Sequence, residues 1–185
     1  MNTSSANIRV RPSEDADVAA ICAIYAHAVL QSTGTFETEA PSPAEIAGRR
    51  DEVLARGLPW LVAESNSEVL GYAYANQFRP RKAYRFCVED SVYLHPKARV
   101  RGLGRILLAE LLRRCEALGM RQIIAVIGDS DNLASIGLHR SLGFEHTGLI
   151  RNAGWKFDRW LDVVMMQKQL GLGASADPIE VKGNS

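Results

Sequence analysis

The stretch RVRGLGRILLAELLRRCEALG, Arg99 to Gly119, changes character near its start. It opens as a glycine loop carrying Arg99, Arg101 and Arg105. It continues as an apolar run at helical spacing through Ile106, Leu107, Leu108, Leu111, Leu112, Cys115 and Leu118. Gly119 suits the left-handed residue that ends such a helix. A helix start exposes unpaired N–H groups and partial positive charge. Glycines just before it let a phosphate approach the backbone closely. Gly102 and Gly104 taken alone fit a plain tight turn equally well. Two nucleotide motifs do not fit. A P-loop needs G-K-[ST], and the dinucleotide pattern G-x-G-x-x-G fails at Leu107, where its third glycine belongs.

Working outward, FCVEDSVYL (Phe86 to Leu94) precedes the loop as a strand interrupted by two acids. Upstream, WLVAES (Trp60 to Ser65) and VLGYAYANQF (Val69 to Phe78) read as strands around a turn at Asn66–Glu68. Before them, IRVRP alternates like a strand, and Ser13 or Asp15 can cap a helix through Ile21, Cys22, Ile24, Tyr25 and Val29. STGTFETEAPSP is a polar loop with an isolated Phe36, and Pro43 opens a second helix closed by Gly57. Downstream, QIIAVI (Gln122 to Ile127) is a continuous apolar strand of the kind buried on both faces. Asp131 or Asn132 can cap the next helix, which Gly143 ends, and the last strands are expected to form a hairpin around Asn152–Gly154. Trp60 and Trp160 are expected to be packing residues. The order predicts one mixed α/β domain over residues 8–170, with a disordered start at 1–7 and a flexible polar tail at 171–185.

The bulk numbers narrow the classes. At 185 residues the chain has the length for one domain with its own core, and 46% hydrophobic with 23% charged residues is an ordinary globular composition. A net charge of +1 argues against a general nucleic-acid or membrane-surface binder. Anion sites must come from local clusters, RPRKAYR (Arg79 to Arg85) and the glycine loop. No apolar run approaches a membrane span, and the first residues lack the apolar core of a signal peptide. Cys22, Cys87 and Cys115 are scattered and odd in number, which fits a reducing cytoplasmic setting. No C-x-x-C or H-x-x-x-H pair is present, so no metal is expected.

The pattern R-x-x-G-x-G at Arg99–Gly104, after a strand and before an amphipathic helix, resembles the GCN5-related N-acetyltransferases (GNAT). The N-x-x-S spacing of Asn132 and Ser135 and the following Leu142–Phe144 continue the resemblance. GTFETE, GYAYANQFRPRKAYRFCVEDSVYL and GWKFDRWLDVV are similar to the phosphinothricin and methionine sulfoximine acetyltransferase branch. The match covers about residues 8–170. It implies a mixed central sheet with two splayed parallel strands, flanked by helices, and a homodimer. It also implies acetyl-CoA as co-substrate and a small amino-acid-like amine as acceptor, attacked directly in a ternary complex. Arg99, Val100, Arg101, Gly102, Leu103, Gly104 and Arg105 would hold the phosphates. Backbone groups of Val92, Tyr93 and Leu94 would hold the pantetheine, and Asn132 and Ser135 the cofactor arm.

Transfer of acetyl to an amine needs a neutral amine and stabilisation of the charge leaving on sulfur. Glu89 is the candidate base. Asp90 is weaker, because strand alternation points it to the opposite face. His139 stands where much of the superfamily has a tyrosine acting on the thiolate; it could act as acid, base or orienter, or be structural. Arg79 and Arg81 are suited to the anionic end of the acceptor, with Phe36, Pro80, Asp90 and Ser91 beside them. Three rivals stay open at this level: an acetyltransferase for a peptide N-terminus, polyamine or aminoglycoside; a CoA-binding sensor without turnover; and a dinucleotide-dependent oxidoreductase, which Leu107 disfavours.

Overall fold

The computed structural model describes residues 8–98 and 102–178. Arg99, Val100 and Arg101, three of the expected phosphate ligands, lie outside the described residues, as do 1–7 and 179–185.

Among the described residues seven strands form one mixed sheet. They are β1 (Arg9–Pro12), β2 (Trp60–Ser65), β3 (Glu68–Gln77), β4 (Cys87–Leu94), β5 (Gln122–Gly128), β6 (Glu145–Lys156) and β7 (Arg159–Gln169), in the order β1-β2-β3-β4-β5-β7-β6. Neighbours pair antiparallel except β4 and β5, which run parallel. Their register holds only from Cys87↔Gln122 to Asp90↔Ala125, although β4 continues to Leu94 and β5 to Gly128. The two strands therefore part in the middle of the sheet, as the resemblance implied.

Helices α1 (Val18–Gln31) and α2 (Pro43–Ala55) cover one face of the sheet, and α3 (Leu103–Ala117) and α4 (Leu133–Ser141) the other. Ser42 caps α2 by accepting the Glu45 N–H at 3.3 Å, with Pro43 at the first helical position. The expected cap of α1 is corrected. A 3₁₀ turn at Asp15–Asp17 precedes the helix, and Asp17 accepts the Glu14 N–H at 2.7 Å. Ser13 and Asp15 are instead drawn to the buried Arg50, at 2.7 and 2.8 Å.

The core joins both helical layers to the sheet. Leu103, Leu107, Leu108, Leu111 and Cys115 of α3 are buried against β2–β4, whereas Ile106 and Leu118, expected on that stripe, face solvent. A 3.6-residue period places them at its edges. Trp60 stacks on Tyr74 with ring centroids 4.1 Å apart, as a packing residue should. Trp160 does not share that role: it is exposed and meets only the Trp155 ring among the described aromatics.

The last hairpin turns at Phe157–Asp158, not at Asn152–Gly154. Both turn residues have positive φ, 52° and 55°, the geometry a two-residue hairpin loop needs. Asn152 also takes a positive φ, 51°, but the ladder resumes after it. The register merely shifts between Ile150 and Gly154, so the Asn–Gly signal marks an irregularity within β6.

Candidate active site

Where β4 and β5 part, a cleft of about 760 Å³ opens. Its walls are the β4 segment Asp90–Leu94, Ala125–Ile127 of β5, the start of α3 and one face of α4. Backbone lies bare here because strands that no longer pair leave N–H and C=O groups without ladder partners.

At the mouth, Gly102 has φ +70°, and a Cβ there would meet nothing within 4 Å among the described residues. The position requires glycine for its backbone angle and leaves room for a group to approach the first N–H groups of α3. Gly104 has a different reason. A Cβ there would lie 3.3 Å from both Leu138 and Leu94, so this glycine lets α3 sit close to α4 and β4. Leu103 is buried in the core rather than in the cleft. Arg105 lines the cleft, with its guanidinium tied to the Ser141 carbonyl at 2.6 Å. Asn132 caps α4 through the Ser135 N–H at 3.3 Å and donates to the Gly128 carbonyl, also at 3.3 Å.

The two acids of β4 point to opposite faces, as alternation requires. Glu89 shares its face with Ser91 and Tyr93, whose ring meets Tyr25 of α1 edge-on at 4.9 Å. Burial pushes the Glu89 carboxyl up, the Asp90 charge adds to this, and Arg79 opposes it. Asp90 is buried on the other face and meets His139 Nε2 at 2.9 Å. The weaker acid of the sequence reading thus holds the histidine. His139 is itself the buried residue of α4, while Leu138 and Leu142 near it are half-buried.

Of the acceptor-side candidates, Asp90 and Ser91 line the cleft, whereas Glu89, Phe36, Arg79, Pro80 and Arg81 do not. Arg79, Pro80 and Arg81 are exposed after β3, with the Arg79 guanidinium 4.9 Å from the Phe78 ring centre. The Phe36 ring sits between two glycines: a Cβ on Gly154 would come within 2.5 Å of it, and one on Gly128 within 3.0 Å. The buried Lys156 amine donates to the carbonyls of Ser32 and Thr35, at 2.9 and 2.8 Å, and burial pushes its pKa down. Ring and amine together dock the loop after α1 onto the last hairpin.

Further lining residues are Ser32 and Thr33, Gly34 of the GTFETE stretch, and Phe157 and Arg159 of GWKFDRWLDVV, the last paired with Asp129. They reach the cleft through that docked loop and hairpin, a long-range arrangement that no local spacing encodes. Among the described residues there is no group of three or more His, Cys, Asp or Glu that could hold a metal, and no helix long and apolar enough to cross a membrane.

A sheet opened between parallel strands, with a glycine-led helix at the opening, defines the class. The model of the Acetyltransferase (GNAT) family matches residues 21–144, and the chain belongs to that family of N-acetyltransferases. Within it, the chain falls with the phosphinothricin and methionine sulfoximine acetyltransferases. It is 50% identical to a phosphinothricin N-acetyltransferase of Alcaligenes faecalis, over 91% of this chain and 86% of that one. To an L-methionine sulfoximine/L-methionine sulfone acetyltransferase of Salmonella typhimurium it is 39% identical, over 91% and 98%. A phosphinothricin acetyltransferase from Sinorhizobium meliloti, solved with AcCoA, superposes with a TM-score of 0.91 at 47% identity, covering 94% of each chain.

Proposed function

We propose that this enzyme transfers acetyl from acetyl-CoA to the primary amine of a small amino acid of the phosphinothricin, methionine sulfoximine or methionine sulfone type. The parting of β4 and β5 beyond Asp90↔Ala125 carries this reading, because it offers unpaired backbone to a pantetheine arm in the middle of the sheet. The phosphates belong at Gly102 and the residues around it, and the arm runs past Val92–Leu94 and Asn132. The thioester then lies between the two faces of β4. In a ternary complex the substrate ammonium gives one proton to Glu89, directly or through water. The neutral nitrogen then bonds the thioester carbon, the carbon–sulfur bond breaks with its electron pair leaving on sulfur, and the second nitrogen proton passes through water to the thiolate. A carboxyl raised by burial is better matched to this task than an exposed one. Arg79, whose charge reaches Glu89, and Arg81 supply cations for the acceptor's anionic end. They favour an anionic amino acid over a polyamine or aminoglycoside.

Free thiol released from acetyl-CoA, followed over a panel of amines, tests the reading. Turnover with methionine sulfone or phosphinothricin and not with polyamines is expected. Thiol release with none of the amines would leave a CoA-binding sensor. Gly102→Asp adds charge and a strained backbone at the mouth, so calorimetry on the folded variant should show acetyl-CoA affinity lost by at least about tenfold. Unchanged affinity would mean that the loop is only a turn. The exposed Ile150, Trp155 and Trp160 on the last hairpin support a homodimer, which sedimentation would show. Free thiols at Cys22, Cys87 and Cys115 fit a cytoplasmic enzyme.

A further inference from the structure

Asp90 and His139 meet on the α3/α4 side of β4, at the last residue before β4 and β5 separate. Their side chains are 1% and 5% exposed, yet both residues border the cleft. His139 Nδ1 lies 2.7 Å from the Ser135 carbonyl, which can only accept, so Nδ1 carries a proton. Nε2 faces Asp90 Oδ2 at 2.9 Å. Two lone pairs cannot face each other at that distance, so a second proton lies between them. The ring is further held by the edge-on Phe144, 4.9 Å between centroids.

We propose that Asp90 is a positioning residue that keeps His139 doubly protonated and fixed, so that the histidine offers the cleft a standing positive charge rather than an exchangeable proton. The inference rests on the acetyl-transfer reading and deepens it. With both ring nitrogens engaged, His139 has no free N–H to aim at sulfur. Loss of the shared proton would set Nε2 against the carboxylate, so the ring retains it. The departing thiolate is therefore stabilised beside the imidazolium and takes its proton from water as it leaves. Asp90, not assigned a role by resemblance beyond the acceptor site, becomes the residue that decides how His139 works.

The surroundings agree. Burial opposes protonation of His139, but the Asp90 hydrogen bond and charge, with the Ser135 carbonyl, outweigh it and leave the imidazole pKa raised. From α3 the pair faces Cys115, whose thiol is pushed up to about 12 by burial and by Asp90, and so stays neutral. β5 presents Ala125, and Glu89 points from the opposite face of β4. Within α4, Ser135 Oγ is 3.4 Å from Nδ1.

Ring nitrogen–proton correlation by NMR on the intact protein, with and without Asp90→Asn, tests the pair without any need for turnover. His139 in the wild type should show two protonated nitrogens through neutral pH, and D90N should titrate at lower pH. In parallel, D90N should lower kcat towards about 10²-fold, the scale of one lost preorganised charge, with both Michaelis constants little changed. The kcat profile of D90N should also gain an ionisation that the wild type lacks. D90N combined with His139→Asn should be no slower than either single variant. A wild-type ring that is neutral at pH 7 would overturn the proposal, and so would D90N with wild-type kcat and pH profile. If no amine is acetylated, the functional reading fails while the NMR result still decides the pair. Should D90N not fold, the wild-type ring titration decides alone.

Discussion

At the scale of single residues, Glu89 and the two arginines make the plainest claims. Glu89→Gln keeps the shape of the side chain and removes its basic oxygen. Turnover should fall by about 10²–10⁴-fold while calorimetry shows acetyl-CoA affinity retained. Because the carboxyl is raised by burial, the acid limb of kcat/KM should lie above 4.5, the unperturbed glutamate value, and should vanish in E89Q. Wild-type turnover in E89Q would remove Glu89 from the chemistry. Replacing Arg79 or Arg81 with Ala should raise the Michaelis constant for the amino acid by about one decade, leaving that for acetyl-CoA unchanged. If neither constant moves, the acceptor's anionic end lies elsewhere. The positions of Gly102 before α3 and of Asn132 at the start of α4 were legible because a motif and its spacing surround them. The Asp90–His139 contact was not, for a physical reason: alternation along β4 says which face Asp90 takes, but not that α4 brings a histidine to that face.

At the scale of elements, the loop after α1 and the last hairpin act as one piece. Gly154 and Gly128 leave a slot for the Phe36 ring, and Lys156 ties the loop's carbonyls to β6. Gly154→Ala places a methyl 2.5 Å from that ring and must displace it. Overpacking of this kind costs about 1–3 kcal/mol. Faster proteolysis within residues 32–41 is expected, together with weaker acetyl-CoA binding, because Ser32–Gly34 line the cleft. Trimming the ring with Phe36→Leu in the same chain should restore part of both. Unchanged cleavage would show that the loop is held by other contacts. The helices and most strands could be read from periodicity, caps and glycines. The turn at Phe157–Asp158 could not, because Phe157 is a poor turn former and the Asn152-Ala153-Gly154 run offered a competing signal nearby.

For the molecule as a whole, stability against pH should have two separate edges. The Arg11 hydrogen bond holds the Asp17 carboxyl below its usual value of 3.8. That contribution is present above 3.8 and is lost as pH falls through the lowered folded value. His139 works the other way. Its pKa is raised above 6.5, so its contribution is complete below 6.5 and is lost as pH rises through the raised folded value. Urea midpoints measured across pH should therefore decline on the alkaline side in the wild type and flatten there in D90N. Arg11→Met should move only the acid edge. If D90N keeps the alkaline decline, another group sets it. The mixed sheet and its splayed pair were readable only through the resemblance, since nothing in the spacing of FCVEDSVYL or QIIAVI says that the two strands run parallel and then separate.

That separation has a consequence for how such an enzyme can change. Along β4, Val88, Asp90 and Val92 face the α3/α4 side, and Glu89, Ser91 and Tyr93 face the α1/α2 side, so under the proposed function donor handling and acceptor choice would occupy alternate letters of one short word. Point substitutions can rewrite one set and leave the other legible, which makes acceptor preference free to drift while the acetyl donor stays the same. A single-residue deletion within the strand offers no such freedom, because it exchanges the two sets at once. Diversity at this site should therefore accumulate by substitution at every second position, and the length of β4 should be its least negotiable property.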